Sequence, residues 1–303
     1  MLQASNVSYT HGARRRAHPG LKPRATAPPA PRSAVAQDSA AAPRSAVAQG
    51  FSPVCSPGVH DVSVTIERGG IVGILGPNGS GKTTLLRLAG GLLTPAAGRV
   101  TLDGTDLTAM PRRALAARIA MVPQETHLAF DYSVLEVALM GRYPHLGPFE
   151  LEGPRDLAIA REALGATGTA GLEERRFSTL SGGEKQRVVI ASALAQQADI
   201  LLLDEPTASL DLGYQLEVGE LLGRLNRERG LTVVVATHDL NFAASLCHSL
   251  VLLREGRVLA AGRTGATLTA DTVLALYGVT ARVRFDDQAG RVTVLPIERA
   301  RHA

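Results

Sequence analysis

The sequence contains no apolar run long enough to cross a membrane. A spanning helix needs about 20 consecutive apolar residues, whereas the longest apolar run, around 200–203, has the length of a strand. The N-terminal residues also lack the apolar core of a secretory signal. We therefore expect any membrane role to depend on a partner protein.

Aromatic residues and cysteines are scarce as well. The 303 residues include no Trp, and aromatic residues make up 4% of them, which disfavours a base-stacking surface for nucleic acid. Seven basic residues and one acidic residue precede position 61, so the rest of the chain is nearly neutral despite the net charge of +4. We therefore expect no nucleic-acid partner. The two cysteines, Cys55 and Cys247, lie far apart, which is typical of free thiols in a reducing compartment.

The segment 11–58 differs in composition from the rest of the chain. It is rich in Ala, Pro, Ser and Arg, and the sequence APRSAVAQ occurs in it twice. Such a tract buries too little apolar area to offset the entropy of ordering it, which indicates a disordered insert without chemistry. An organelle transit peptide would have a similar composition. We favour the insert, because the residues at 7–9 read as the end of a strand that resumes at 62–66.

The most specific pattern in the sequence is a glycine-rich loop. Residues 76–83 fit the pattern G-x-x-x-x-G-K-[ST], between an apolar run at 71–75 and apolar residues at helical spacing from 85 to 92. A strand, a turn and a helix start direct backbone N–H groups and the positive end of a helix at one point, which suits a polyphosphate. An incidental glycine turn is the alternative, but the chain has only three lysines, so a chance match is rare. We predict a nucleoside triphosphate site formed by Gly76, Pro77, Asn78, Gly79, Ser80, Gly81, Lys82, Thr83 and Thr84.

Strands and helices alternate after the insert, as in an open parallel sheet with helices on its faces. The apolar runs at 71–75, 120–122, 200–203 and 231–236 are candidates for its buried strands. Ligands bind such sheets at the carboxyl ends of the strands, and the polar motifs described next follow these runs. The predicted fold class is therefore α/β.

One of these runs ends in two acidic residues. Asp204 and Glu205 would be costly to bury there without a cation. We predict that Thr83, Asp204 and Gln124 hold Mg²⁺, and that Glu205 polarises the attacking water. The alternative is a solvated acidic turn after a strand, and a Gln after a Pro, as at position 124, is unremarkable alone.

Two further side chains are assigned to the phosphates. The Lys82 ammonium supplies a positive charge for the outer phosphates. His238 follows the run at 231–236 and is predicted to hydrogen-bond the γ-phosphate and hold the water. A histidine at a strand end is more often structural. With that alternative open, the predicted catalytic residues are Glu205 and His238.

A serine-glycine segment precedes the carboxylates. Residues 180–187 read LSGGEKQR, in which Ser181 can cap a helix and Glu184 can complete a capping box, while Gly182 and Gly183 permit close backbone approach. An ordinary cap and an anion site are compatible, because helix N-termini bind anions. With the motifs above in the same order, this segment resembles the signature of the ATP-binding-cassette (ABC) ATPases.

The resemblance covers 59–285 and the first strand, and it implies a fold. We expect a P-loop NTPase (RecA-like) core with an antiparallel β subdomain and an inserted helical subdomain at 127–180, followed by a tail at 286–303. In this family two copies pair head to tail. ATP would then lie between the glycine-rich loop of one copy and Ser181, Gly182, Gly183 and Glu184 of the other.

Two further site residues follow from the resemblance. Tyr9 is the candidate for the aromatic ring that stacks on adenine, although the insert separates it from Lys82 by more sequence than is usual in the family. Asp211, in Ser209-Leu210-Asp211, matches the D-loop. The implied ligands are ATP and Mg²⁺.

Weaker patterns indicate a subgroup. The segments LMGRYPH at 139–145, LYGV at 276–279 and VLP at 294–296 resemble ATPases of importers for iron-siderophore complexes, haem or cobalamin, although 139–145 could equally be a packed loop. The implied protein hydrolyses ATP at the cytoplasmic face of the membrane and energises a separate permease that receives ligand from an extracytoplasmic binding protein. The alternative is a soluble ABC ATPase of DNA repair or translation, which would usually carry two cassettes or a long coiled-coil insertion.

Overall fold

Strands and helices alternate along the described part of the chain. The structure, a computed structural model, describes residues 1–10, 58–126, 128–208 and 210–299. Its strands are β1 (Leu2–Thr10), β2 (Gly58–Ile66), β3 (Ile71–Leu75), β4 (Ala97–Leu102), β5 (Thr105–Asp106), β6 (Ile119–Val122), β7 (Ile200–Asp204), β8 (Thr232–Thr237), β9 (Ser249–Arg254), β10 (Arg257–Arg263), β11 (Val279–Asp286) and β12 (Arg291–Arg299). Its α-helices are α1 (Lys82–Ala89), α2 (Arg112–Ala116), α3 (Val134–Leu139), α4 (Pro154–Ala166), α5 (Gly182–Ala195), α6 (Leu212–Arg229), α7 (Leu240–Leu246), α8 (Thr264–Thr267) and α9 (Ala270–Tyr277). None of these helices is long and apolar enough to span a bilayer.

A six-stranded sheet forms the centre of the molecule. Its order is β10-β9-β3-β8-β7-β6, and all neighbouring strands are parallel except β10 and β9. Every residue of β3, β7 and β8 is buried, because apolar clusters cover both faces of the sheet. Along β3, for example, Ile71 and Leu75 belong to one cluster, whereas Val72 and Ile74 belong to the other. The α/β prediction and the four predicted strands are confirmed.

A second, antiparallel sheet has the order β2-β1-β4-β5. The prediction that residues 7–9 and 62–66 belong to one interrupted strand is wrong, because β1 and β2 are separate antiparallel neighbours that pair from Leu2 with Ile66 to Thr10 with Gly58. Gly58, the last residue of the predicted insert 11–58, is the first residue of β2. The rest of the insert lies outside the described residues. Apolar alternation looks the same for an interrupted strand and for a hairpin, so the pattern could not separate the two.

Helices α3, α4 and α5 pack against one another on one side of the central sheet. The segment LMGRYPH joins them: buried Arg142 donates to a carboxylate oxygen of Asp156 and to the carbonyl oxygen of Ala195, at 2.9 and 2.7 Å. His145 bonds the carbonyl oxygen of Gln196. These contacts support the packed-loop interpretation of this segment, although Tyr143 remains exposed.

The chain ends, within the described residues, in a hairpin formed by β11 and β12. The predicted boundary between the ATPase domain and the tail at 286–303 therefore falls inside this hairpin. It packs against α9 and α7, so it lies near the segment between β8 and α7 that carries His238.

Candidate nucleotide site

The glycine-rich loop connects β3 to α1. Gly81 has a φ of 100°, and a Cβ atom built on it would lie 2.7 Å from the carbonyl oxygen of Gly58. A side chain at this position is therefore excluded both by conformation and by space. The loop borders a cavity of about 310 Å³, lined by Gly58, Asn78, Gly79, Gly81, Lys82, Thr83, Thr84, Gln124 and Glu205.

A larger cavity, of about 370 Å³, lies at the opposite edge of the central sheet, where β7 and β8 begin. Its arginines pair with acidic neighbours, as Arg118 does with Asp199 and Asp103. Since parallel sheets bind ligands at the carboxyl ends of their strands, the cavity beside the glycine-rich loop is the better candidate.

Lys82 is buried beneath the loop, and its ammonium points at oxygen atoms. It donates to the carbonyl oxygens of Gly76 and Pro77, at 2.9 and 3.2 Å. It also lies 3.5 Å from an oxygen of Glu205, whose side chain is 12% exposed. This pairing offsets the cost of burying both charges.

Thr83 and Asp204 form the predicted oxygen pair. The Thr83 hydroxyl donates to Asp204 Oδ1 at 3.0 Å. Burial raises the pKa of Asp204, and the nearby Glu205 carboxylate raises it further. A nearby cation would therefore stabilise the ionised form of Asp204.

The donor set around Asp204 suits Mg²⁺. Gln124 lines the same cavity and adds an amide oxygen to the Thr83 hydroxyl and the Asp204 carboxylate. Within the described ranges, no three His, Cys, Asp or Glu side chains are grouped so that they could hold a metal by themselves. Mg²⁺ is usually held by one or two carboxylates together with substrate phosphates, so the residues present fit this ion.

Replacing Asp204 with Asn tests this interpretation. We expect the melting temperature of the nucleotide-free protein to rise by about 2–4 °C, because Asn still accepts the Thr83 hydrogen bond but removes the buried charge. Mg²⁺-dependent ATP binding should fall in the same variant. The matched control is Asp199→Asn, which removes an exposed carboxylate paired with Arg118. A stabilisation of similar size in the control, or none in Asp204→Asn, would contradict the interpretation.

Glu205 lies between Lys82 and His238. Its φ of 48° is unusual for a residue other than glycine, and its N–H donates to the carbonyl oxygen of Ala236 at 2.8 Å. This left-handed turn directs one carboxylate oxygen toward Lys82 and the other to His238 Nδ1, at 3.0 Å. The sequence predicts separate roles for Glu205 and His238, and their direct contact was not predicted.

The serine-glycine segment forms the helix cap that its sequence predicts. Ser181 is the N-cap of α5: its hydroxyl accepts from the N–H of Glu184, and Glu184 accepts from the N–H of Ser181, at 3.3 and 2.8 Å. These hydrogen bonds lower the pKa of Glu184. A Cβ atom on Gly183 would lie 2.5 Å from the Tyr214 ring, so glycine is needed for this packing.

Within one chain, this segment is not part of the cavity beside the glycine-rich loop. Gly182 instead lines a separate cavity of about 220 Å³, and Gln124 lines both. Asp211 caps α6 by accepting from the N–H of Tyr214, at 3.0 Å, while Ser209 lies outside the described residues.

Tyr9 comes close to the glycine-rich loop despite the insert. Strand pairing places it opposite Val59 and beside Gly58, which lines the cavity. Its side chain is half-buried and packs against one of the apolar clusters. Tyr9 is not itself among the residues that line the cavity.

Known proteins resemble this chain in sequence. Residues 59–208 match the sequence profile of a family described as ABC transporter. The ferric enterobactin transport ATP-binding protein FepC of Escherichia coli (strain K12) is 40% identical over 239 residues, which cover 79% of this chain and 88% of FepC. The chain belongs to the ABC transporter family.

A second relative of this chain is a longer protein. The cobalamin import ATP-binding protein BtuD of Halobacterium salinarum is 44% identical over 237 residues, which cover 78% of this chain. The chain spans 59% of the length of that relative.

Solved structures agree with the family assignment. An ABC transporter in an inward-facing conformation superposes with a TM-score of 0.71 at 31% identity, covering 80% of this chain and 92% of that one. The dimeric structure of a bacterial ABC transporter cassette gives a TM-score of 0.65 at 27% identity, covering 87% of this chain and 99% of that one.

Proposed function

We propose that this chain is the ATP-hydrolysing subunit of an ABC importer for an iron-siderophore complex, haem or cobalamin. The observation that carries the proposal is a cavity at the carboxyl ends of the strands that is lined by Lys82, Thr83 and Glu205. Asp204 and His238 are hydrogen-bonded to Thr83 and Glu205, respectively. The names of FepC and BtuD, which refer to ferric enterobactin and cobalamin, support the substrate class. They also favour an importer over a soluble ATPase of DNA repair or translation.

The site residues have separate roles in ATP hydrolysis. The loop N–H groups and Lys82 bind the phosphates. Thr83, Asp204 and Gln124 would hold Mg²⁺, which would neutralise phosphate charge. Glu205 accepts a proton from the attacking water, and His238 orients the water and the γ-phosphate. The 3.0 Å contact between His238 and Glu205 keeps these two groups together.

A second copy of the chain completes the site. Ser181 lies at the N-terminus of a 14-residue helix, which favours an anion, yet its segment does not line the cavity beside the loop of its own chain. In a head-to-tail homodimer, Ser181, Gly182, Gly183 and Glu184 of each copy would meet the triphosphate held by the other. Asp211 would lie at the same seam, and Tyr9 would stack on adenine.

The helical subdomain docks on a membrane permease at the inner face of the membrane. Several large apolar side chains between β6 and α4 are exposed, among them Phe130, Phe149 and Leu151. Phe149 and Leu151 lie two residues apart in the sequence, and exposed apolar patches are typical of protein interfaces. The permease, in turn, receives ligand from an extracytoplasmic binding protein.

Uptake assays test the importer role. In cells that lack this gene we expect the uptake of one ligand among radiolabelled ferric siderophore, haem and cobalamin to be lost, and the intact gene to restore it. Unchanged uptake of all three would contradict the importer proposal.

A charge placed on the docking surface should separate transport from ATP hydrolysis. Leu151, which is 83% exposed, changed to Glu should abolish uptake and leave the ATPase rate of the purified protein unchanged. The matched control is Leu92→Glu at a 55% exposed leucine just after α1, which should affect neither. Equal uptake by both variants would exclude Leu151 from the docking surface.

A further inference from the structure

Two segments near the end of the chain meet at the residues that follow β8. These are LYGV at 276–279 and VLP at 294–296, for which the proposed mechanism gives no role. The first ends α9 and begins β11, and the second lies in β12. Both contact the stretch at 238–241, which contains His238 and the first residues of α7.

Tyr277 provides the first contact. Its hydroxyl donates to the backbone carbonyl oxygen of His238 at 3.3 Å. Burial raises the pKa of Tyr277, and the neighbouring carboxylates of Asp239 and Glu205 raise it further. The phenol therefore stays protonated and remains a donor at neutral pH.

Asn241 provides the second contact. Its side-chain amide donates to the carbonyl oxygen of Val294 and accepts from the N–H of Val294, at 3.1 and 2.9 Å. Asp239 caps the same helix by accepting from the N–H groups of Asn241 and Phe242. The first turn of α7 is thus fixed from both sides, by its own cap and by the hairpin.

His238 depends on such backbone anchors. Its side chain is 54% exposed, so apart from the hydrogen bond to Glu205 little packing holds the ring. A cavity of about 340 Å³ is lined by Tyr277 and Gly278 on one side and by residues 77–80 of the glycine-rich loop on the other. The C-terminal segments therefore reach the site through the backbone at 238–241 rather than by packing against that loop.

We propose that Tyr277 and Asn241 are positioning residues for His238, through which the C-terminal hairpin controls the geometry of hydrolysis. This inference rests on the proposed ATPase function. It predicts that the loss of either contact lowers the rate of the chemical step and leaves ATP binding unchanged, because the side-chain hydrogen bonds of Tyr277 and Asn241 go to the backbone of His238 and Val294.

The test compares Tyr277→Phe and Asn241→Ala with the wild-type protein in steady-state and single-turnover assays with radiolabelled ATP. Each variant removes one hydrogen-bonding group, so we expect kcat to fall about 3- to 10-fold with KM and ATP affinity within twofold of wild type. Tyr132→Phe is the matched control, since it removes the hydroxyl of another half-buried tyrosine. This control should change neither kcat nor KM.

A double-mutant cycle distinguishes positioning from a general structural effect. When His238 is changed to Ala, adding Tyr277→Phe should cause no further loss of the single-turnover rate. An unchanged kcat in Tyr277→Phe and Asn241→Ala, or the same fold loss with and without His238, would overturn the inference. Absence of ATPase activity in the wild-type protein would instead overturn the proposed function.

Discussion

Changing Glu205 to Gln is expected to lower ATP turnover by about 100-fold or more and to leave ATP binding intact. General-base catalysis contributes at least this much in typical enzymes. Gln has nearly the same size as Glu and can still accept a hydrogen bond from Lys82, which lies 3.5 Å from Glu205 Oε1. The variant therefore removes the base while the phosphate-binding groups stay in place.

A second glutamate offers a matched control for this variant. Glu255 also has a positive φ, 51° compared with 48° for Glu205, but its side chain is exposed and pairs with Arg254. Glu255→Gln should hydrolyse ATP at the wild-type rate. The measurements are phosphate release at saturating ATP and equilibrium binding of a fluorescent ATP analogue. Normal turnover in Glu205→Gln would show that another group accepts the proton.

Changing Lys82 to Ala should have the second large effect, this time on binding. A charge-assisted hydrogen bond contributes about 1.5–3 kcal/mol, so its loss should weaken ATP affinity about 10- to 100-fold. The buried Glu205 carboxylate also loses its cationic neighbour, which should disturb the catalytic geometry. Hydrolysis should therefore become undetectable at ATP concentrations that saturate the wild-type protein.

The control for Lys82→Ala removes another positive charge from the same helix. Arg87 lies in the last turn of α1, is exposed, and is not among the residues that line the cavity beside the glycine-rich loop. Arg87→Ala should bind ATP within a few-fold of wild type. If Lys82→Ala bound ATP as tightly as this control, the assigned role of Lys82 in phosphate binding would be wrong.

The central sheet was predictable because its strands are local patterns. Runs such as ILLL at 200–203 are apolar at every position, which indicates burial on both faces, and a polar motif follows each predicted strand. The contact between Thr83 and Asp204 was predictable for the same reason, because the carboxyl ends of parallel strands lie at the same edge of a sheet.

Contacts that depend on particular backbone turns or on distant segments could not be predicted. The Glu205–His238 contact requires the left-handed turn at Glu205, and nothing in the residue types around it specifies that φ. Tyr277 reaches His238 only because α9 and the hairpin fold back onto α7. The pairing of β1 with β2 was missed because the insert separates two strands whose alternation fits either arrangement.

The central claim is that two copies of this chain bind ATP between them, each supplying part of the site. The most direct test is the molar mass of the Glu205→Gln variant in MgATP, measured by light scattering during gel filtration. The account predicts a particle of twice the 31.8 kDa chain mass that returns to one chain when ATP is removed. A particle of one chain mass with ATP bound to every copy would contradict it.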